Sequence, residues 1–324
     1  MRTYEADDCR DAIVTRGQIE RWGWTERRLR DAIAVGAMIR LQRNRYVNGD
    51  AWRALWPESR HLVAVVAAAE EMTTGRSVLS HDSAAVLHGL PLYRHSPGAV
   101  HVTVRPGGGM PSRVGLVRHR DALGEEDVVV IDGIPCTSLE RTVFDLGRTT
   151  PVETGIAAAD AALRCLAFGA ESYERHEAER WRSSMLTRVA LAGGARGVRR
   201  ARSVIVFADG RAESPGESVS RWRWAEAGFS DIEVQPLVLL DGGRRRWCDL
   251  AIGEIRTLFE FDGRLKYTDP EMRGRRTADE VVIEEKLRED EIRAATGWRL
   301  LRAVDENIAT AAAFHTYLKR AHIR

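Results

Sequence analysis

An α+β multidomain architecture is the fold class that this 324-residue sequence predicts, and three observations lead to it. The length suits two or three domains of about 100–150 residues each. Apolar residues at 44% and charged residues at 30% describe a chain that can bury real cores and is neither disordered nor fibrous. Helical and strand-like patterns interleave along the chain. The expected parts are a winged helix-turn-helix over residues 1–55, a mixed α/β block over 56–150, a helical connector over 151–210 and a C-terminal α/β domain over 211–324.

Several classes are excluded at once. The longest apolar run, Leu62–Ala69, has eight residues, where a membrane span needs about 18–20. The opening MRTYEADDCR is acidic and polar, unlike a secretory leader. Cys9, Cys136, Cys165 and Cys248 lie far apart with no CxxC pair. Together these predict a cytoplasmic protein in a reducing compartment.

Net charge is only +2, but its distribution is uneven. Residues 15–45 hold eight Arg against Glu20, Glu26 and Asp31, and residues 188–211 hold six Arg against Asp209. Such basic islands are either nucleic-acid footprints or solvated helix faces. Only three of the 49 basic residues are lysines: Lys266, Lys286 and Lys319.

The first part reads as helix, helix, β-hairpin. Thr15 with Gln18 forms a capping-box start, and Gly23 stops that helix. Thr25 caps a second helix with Leu29 and Ile33 on its buried face and Gly36 past its end. Met38–Leu41 and Tyr46–Val47 alternate like two strands. A winged helix of this kind places the start of its second helix in the major groove and its wing beside the backbone. Arg27, Arg28 and Arg30 crowd that helix, and Arg43 and Arg45 sit on the wing, so these five are the candidate DNA-binding residues. The competing reading is a small helical docking domain with arginines on its wet face.

In the middle block, His61–Met72 and Ser80–His88 read as helices. Ala99–Arg105 and Val114–Arg120 read as strands of a hairpin tipped by Pro106–Pro111. Val128–Ile131 and Ile134–Thr137 flank an Asp132–Gly133 turn signal, and Thr137 with Glu140 opens the next helix. His88, His95, His101 and His119 show no metal-ligand spacing and read as structural. Val152–Leu166, Glu171–Leu191 and Gly197–Phe207 read as connector helices, with Ala208–Ala212 as a joint.

The stretch IVTRGQIERWGWTERRLRDAIAVGAMIRLQRNRYV (Ile13–Val47) resembles the N-terminal winged helix of AbiEi-type antitoxins. LSHDSAAVLHGLPL (Leu79–Leu92), VHVTV (Val100–Val104) and DGIPCTSLERTVFDL (Asp132–Leu146) resemble the block that follows it. The resemblance covers roughly residues 10–165 and implies operator binding, autorepression and opposition to a nucleotidyltransferase toxin encoded nearby. Asn44–Arg45 stands where that family usually has Gly.

The last third carries carboxylates in a strand context. Ser214–Glu217 starts a helix. Ile232–Leu240, Trp247–Ile252 and Thr257–Asp262 read as strands, the last with Leu258, Glu260 and Asp262 on one face and Phe259 and Phe261 on the other. A turn centred between Glu254 and Ile255 sets Asp249 opposite Glu260, about 5 Å away, with Asp262 next along. Like charges so placed destabilise a sheet unless a cation binds. Asp249, Glu260 and Asp262 are thus candidate ligands for Mg²⁺ or Mn²⁺. A wet sheet face with scattered acids is the alternative.

ESPGES (Glu213–Ser218), RRRWCDLAI (Arg244–Ile252), LFEFDGRLKY (Leu258–Tyr267), EEKLRED (Glu284–Asp290) and GWRLLR (Gly297–Arg302) resemble the PD-(D/E)xK nuclease core and its Vsr-like branch. This implies a restriction-endonuclease-like α/β domain that hydrolyses phosphodiester bonds with Mg²⁺. Glu217 corresponds to the helix acid, Asp249 to the central metal ligand and Glu260 to the second strand ligand. Asp262 occupies the family's Lys position. Either Lys266 or Lys286 replaces that lysine, or Asp262 binds metal, or the site only binds. Glu217 also fits a plain capping box with Ser214. The expectation is a DNA-binding protein with a metal-dependent endonuclease domain. The alternative is a non-catalytic antitoxin and repressor with a degenerate nuclease-like tail.

Overall fold

The computed structural model describes residues 5–72, 77–104, 115–169, 172–263 and 288–323. The fold is α+β with several sheets. The chain divides into two compact units, Met1–Ala158 with Thr187–Arg202, and Ala159–Leu186 with Ser203–Arg324. Helices α8 (Val152–Ala167), α9 (Arg175–Leu191) and α10 (Val198–Phe207) each carry residues of both units.

The first unit opens with α1 (Ala6–Ala12), β1 (Val14–Thr15), α2 (Arg16–Arg21), α3 (Glu26–Ala34), β2 (Met38–Gln42) and β3 (Arg45–Asn48). The capping signals act as the residues dictate. Thr15 Oγ1 accepts from the Gln18 N–H at 3.3 Å while Gln18 Oε1 accepts from the Thr15 N–H at 2.7 Å. Thr25 Oγ1 accepts from the Arg28 N–H at 3.2 Å. Gly36 continues past α3 at φ 74°, a conformation that costs a glycine nothing. β1 joins the hairpin to give a three-stranded antiparallel sheet in the order β1-β3-β2. Ile19, Leu29, Met38 and Tyr46 form the core beneath it.

After α4 (Gly49–Ala54), α5 (Pro57–Ala69) starts a turn before the expected His61, because Pro57 at its first position is preorganised for helix. The unit then builds a five-stranded sheet in the order β6-β5-β4-β8-β7, from β4 (Ser77–Leu79), β5 (Val100–Val104), β6 (Leu116–His119), β7 (Val128–Ile131) and β8 (Ile134–Thr137). The β7–β8 hairpin closes at Ile131↔Ile134, with Asp132 at φ 50° and Gly133 at φ 78°, the paired positive angles of a tight twisted turn. Helices α6 (His81–Leu87) and α7 (Leu139–Thr149) complete the block.

Two expectations are corrected here. β5 and β6 pair parallel, with Val100↔Leu116 and Thr103↔His119, so they are not the arms of a hairpin. Parallel strands need a crossover, and a local Gly/Pro signal cannot report on pairing direction. Pro106–Pro111 lies outside the described residues. The cap of α7 is Ser138, which accepts from the Arg141 N–H at 3.3 Å, one residue beyond the expected Thr137.

The second unit contains α11 (Pro215–Glu226), β9 (Ile232–Val234), β10 (Leu237–Leu239), β11 (Arg245–Trp247), β12 (Leu250–Ile252), β13 (Thr257–Phe261), a helix over 288–296 (α12), β14 (Arg299–Ala303), α13 (Asp305–Ile308) and α14 (Ala311–Arg320). Its main sheet runs β14-β13-β12-β9, with β13 and β14 parallel and the other pairs antiparallel. The single strands expected over Ile232–Leu240 and Trp247–Ile252 are each broken in two. Pro236 has no N–H for a ladder and Gln235 turns at φ 53°, so β10 leaves the main sheet and pairs with β11 instead.

Both faces of the main sheet are covered. Trp224, Phe259, Phe314 and Tyr317 stack edge-on beneath one face. Cys248, Ala251, Leu258, Ile292 and Leu300 fill the other, which corrects the reading of a wet acidic face. Ala208–Ala212, expected as a joint, is fastened within this unit. The Asp209 N–H donates to Asp160 Oδ1 at 2.8 Å, and buried Asp160 also receives Arg221 at 3.0 and 3.1 Å. Among the described residues no helix is long and apolar enough to cross a membrane.

Candidate functional site

The N-terminal arginines divide by environment. Arg27, Arg28 and Arg30 are exposed on α3, because Leu29 turns inward and leaves its neighbours on the wet side. Arg28 lies over the Trp24 ring at 4.4 Å, which fixes a planar cation without neutralising it. Arg27 is 89% exposed with Asp31 4.0 Å away, a pair that solvent and salt screen. Arg43 is exposed in the β2–β3 turn beside Asn44 at φ 58°. Arg45 differs from the expectation of a wing residue facing outward: it is largely buried and bonds Glu70 at 2.7 Å.

The carboxylates come together in part. The β12–β13 ladder pairs Leu250↔Phe259 and Ile252↔Thr257, the register that continues to Asp249 opposite Glu260. Asp249 lies just before β12, and its Oδ2 accepts from the Phe261 N–H at 2.6 Å. Glu260 is 6% exposed and accepts from Arg288 at 2.6 Å, with Arg302 at 3.3 Å on its other oxygen. Two guanidinium groups therefore balance the charge for which the sequence suggests a metal. Asp262 follows β13, its N–H donating to the Ala303 carbonyl at 2.9 Å. Lys266 and Lys286 lie outside the described residues.

Glu217 is buried in the first turn of α11. Its own N–H donates to Ser214 Oγ at 3.2 Å, one half of a capping box. Its carboxylate reaches past Ser214 to accept from the Glu213 N–H at 2.8 Å and from Gln235 Nε2 at 3.0 Å. Burial pushes its carboxyl above the usual range, against the pull of these hydrogen bonds. Among the described residues, Asp249, Glu260 and Asp262 do not form a three-carboxylate cluster with ligand atoms within 4.8 Å of one another.

That spacing is met instead by three histidines, of which His101 and His119 show no metal-ligand spacing along the sequence. His81, His101 and His119 each bring a ring nitrogen within 4.8 Å of the others. His81 opens α6 at φ 52°, a strained conformation for a residue with a Cβ. His101 pairs across β5–β6 with Val117, so His119, two residues on, shares its face. The His119 Nε2–His101 Nδ1 distance is 3.1 Å, and the His81 and His119 rings stack at 3.6 Å. No local spacing could reveal this group, since parallel pairing of β5 with β6 creates it. His88 and His95, read as structural, are held by hydrogen bonds: His88 Nε2 meets the Thr137 carbonyl at 2.8 Å, and His95 Nε2 meets Asp82 Oδ2 at 2.8 Å.

Burial holds the imidazoles of His61 and His119 down to about 4 and that of His81 to about 2. The unfolded chain takes up these protons near pH 6.5, before the folded chain does. The stability tied to the three rings is therefore complete above about pH 6.5 and is lost as pH falls, through about 4 for His61 and His119 and on to about 2 for His81. The expected result is a steep fall in the urea midpoint of the first unit between about pH 7 and about pH 4. A flat midpoint across that window contradicts it.

Two uncharacterized proteins of Mycobacterium tuberculosis, MT2308 of strain CDC 1551 / Oshkosh and Rv2248 of strain H37Rv, are each 29% identical over 201 residues, covering 62% of this chain and 68% of theirs. Residues 76–205 match the family model of the AbiEi antitoxin C-terminal domain, a stretch that begins at β4, takes in the histidine group and ends within α10, ahead of the carboxylates.

Proposed function

We propose that the protein is a DNA-binding antitoxin-type repressor. The match of residues 76–205 to the AbiEi antitoxin C-terminal domain carries this reading. The N-terminal elements support it. α2, α3 and the β2–β3 hairpin are the order of a winged helix, with Arg27, Arg28 and Arg30 on α3 and Arg43 at the hairpin turn all exposed. The partners of this reading are operator DNA and a nucleotidyltransferase toxin encoded nearby. Fluorescence anisotropy with the gene's own upstream duplex, against an unrelated duplex of equal length, tests it. Tight, salt-sensitive binding that prefers the upstream duplex is expected. Equal affinity for both duplexes at every salt concentration refutes repression.

A second reading, metal-dependent phosphodiester hydrolysis, has one observation behind it, the register that sets Asp249 opposite Glu260. Mg²⁺ or Mn²⁺ would polarise the scissile phosphate and its attacking water. Asp249 and Glu260 would hold it, and Glu260 could do so only after giving up Arg288 or Arg302. Asp262 and Glu217 would flank the ion, with Lys266 or Lys286 orienting the water. Nicking of supercoiled plasmid with either metal, lost in Asp249→Ala, is the result this reading requires. Intact plasmid under both metals leaves the repressor reading alone.

A further inference from the structure

We propose that His81, His101 and His119 form a binding site for a divalent transition-metal ion of the zinc class. Three elements of one unit converge on it: the start of α6, β5 and the end of β6. Three imidazole nitrogens within 4.8 Å of one another make a donor set for Zn²⁺, Co²⁺ or Ni²⁺, and not for Mg²⁺ or Ca²⁺, which take oxygen.

The spacing suits ligation. Nitrogens about 2.0–2.1 Å from a tetrahedral ion stand about 3.3 Å apart, and His119 Nε2 and His101 Nδ1 are already 3.1 Å apart. Imidazoles sharing such an ion have centroids about 5 Å apart. His101 meets this with both partners, at 5.6 Å from His81 and 5.1 Å from His119. Only the His81–His119 stack, at 3.6 Å, must open.

The surroundings prepare His81 for the role. Its Nδ1 is 3.0 Å from Ser80 Oγ and 4.0 Å from Asp145 Oδ2. An Nδ1–H donated to the hydroxyl leaves the Nε2 lone pair free for a metal, the outer-shell arrangement that orients ligating histidines. The His101 N–H donates to Ser83 Oγ at 2.8 Å, and that hydroxyl also meets His61 Nε2 at 3.0 Å, so β5 is tied to α6 and α5. The proton between His119 and His101 moves to the far nitrogen of its own ring when the ion enters, so both facing nitrogens present lone pairs. His101 and His119 are only partly buried, which gives the ion an entry path. Three histidines leave the fourth position of the ion open.

The test uses the full chain, stripped with a chelator and titrated with Co²⁺. The expected result is one Co²⁺ per chain with the visible d–d bands of a tetrahedral site, and loss of that binding in His119→Ala and His101→Ala with an unchanged far-UV spectrum. Wild type that binds no Co²⁺, or a folded His119→Ala that binds it as wild type does, overturns the proposal. If both variants unfold, the decision passes to wild type alone, by mapping diethyl pyrocarbonate modification of His101 and His119 with and without Co²⁺. Protection of both rings by the metal supports the site, and equal modification overturns it.

Discussion

Arg141→Met is expected to destabilise the first unit by about 3–5 kcal/mol, because it strands buried carboxylates rather than merely deleting a bond. Arg141 is 5% exposed, and its Nε sits 3.1 Å from both oxygens of Asp145, which is itself 0% exposed. The same guanidinium donates to Asp127 at 3.2 Å and to the Ala122 carbonyl at 2.7 Å. Met keeps much of the volume and removes every donor. Desolvation already raises the Asp145 carboxyl to about 6, although Arg141 and Arg148 pull it down. With Arg141 gone the carboxyl rises further. A carboxyl raised in the folded state contributes stability below its unfolded pKa, near 4, and that contribution is lost as pH rises through the folded value. The deficit of the variant is therefore largest at alkaline pH, where Asp145 is charged in both proteins, shrinks as pH falls toward about 6 because the variant takes up the proton first, and is constant below about 6. Urea unfolding of wild type and variant in parallel cancels the acid response of the histidines. A deficit under about 1 kcal/mol, or one independent of pH, contradicts this account.

The double substitution Arg27→Ala with Arg28→Ala is expected to weaken binding to the upstream duplex by roughly ten- to a hundredfold and to lower the salt slope by about 2. Both side chains are exposed on α3 and touch the core only through Arg28 over Trp24, so the unfolding midpoint should hardly move. Loss of affinity without loss of stability separates a DNA contact from a structural role. Arg45→Ala supplies the contrast. Its guanidinium bonds Glu70 at 2.7 Å, so it should cost stability before it costs DNA affinity. Unchanged affinity in the double variant removes α3 from the interface.

Much of the fold is legible in local signals. Thr15 with Gln18, Thr25, Gly36 and the Asp132–Gly133 turn each act through groups within a few residues of themselves, so the sequence states them directly. The Asp249–Glu260 register is legible for the same reason, since one short turn fixes which residues of β12 and β13 face each other. The partners of those carboxylates are not. Arg288 and Arg302 reach Glu260 from 28 and 42 positions away in the chain, and only packing brings them there.

The amino-acid sequence by itself determined the caps of α2 and α3, the tight turn of the β7–β8 hairpin, the basic face of α3 and the α+β alternation, because each follows from backbone preferences and periodicity over one or two turns. The tertiary structure alone decided which charges are met by partners and which side chains form a site. It gave Glu260 two arginines, turned Arg45 to Glu70, and ran β6 parallel to β5 so that His119 lies beside His101 under His81. The physical reason is range. Hydrogen bonds of caps and turns close within about four residues. Charge compensation and ligand convergence depend on strand direction and burial, and no short window of sequence contains either.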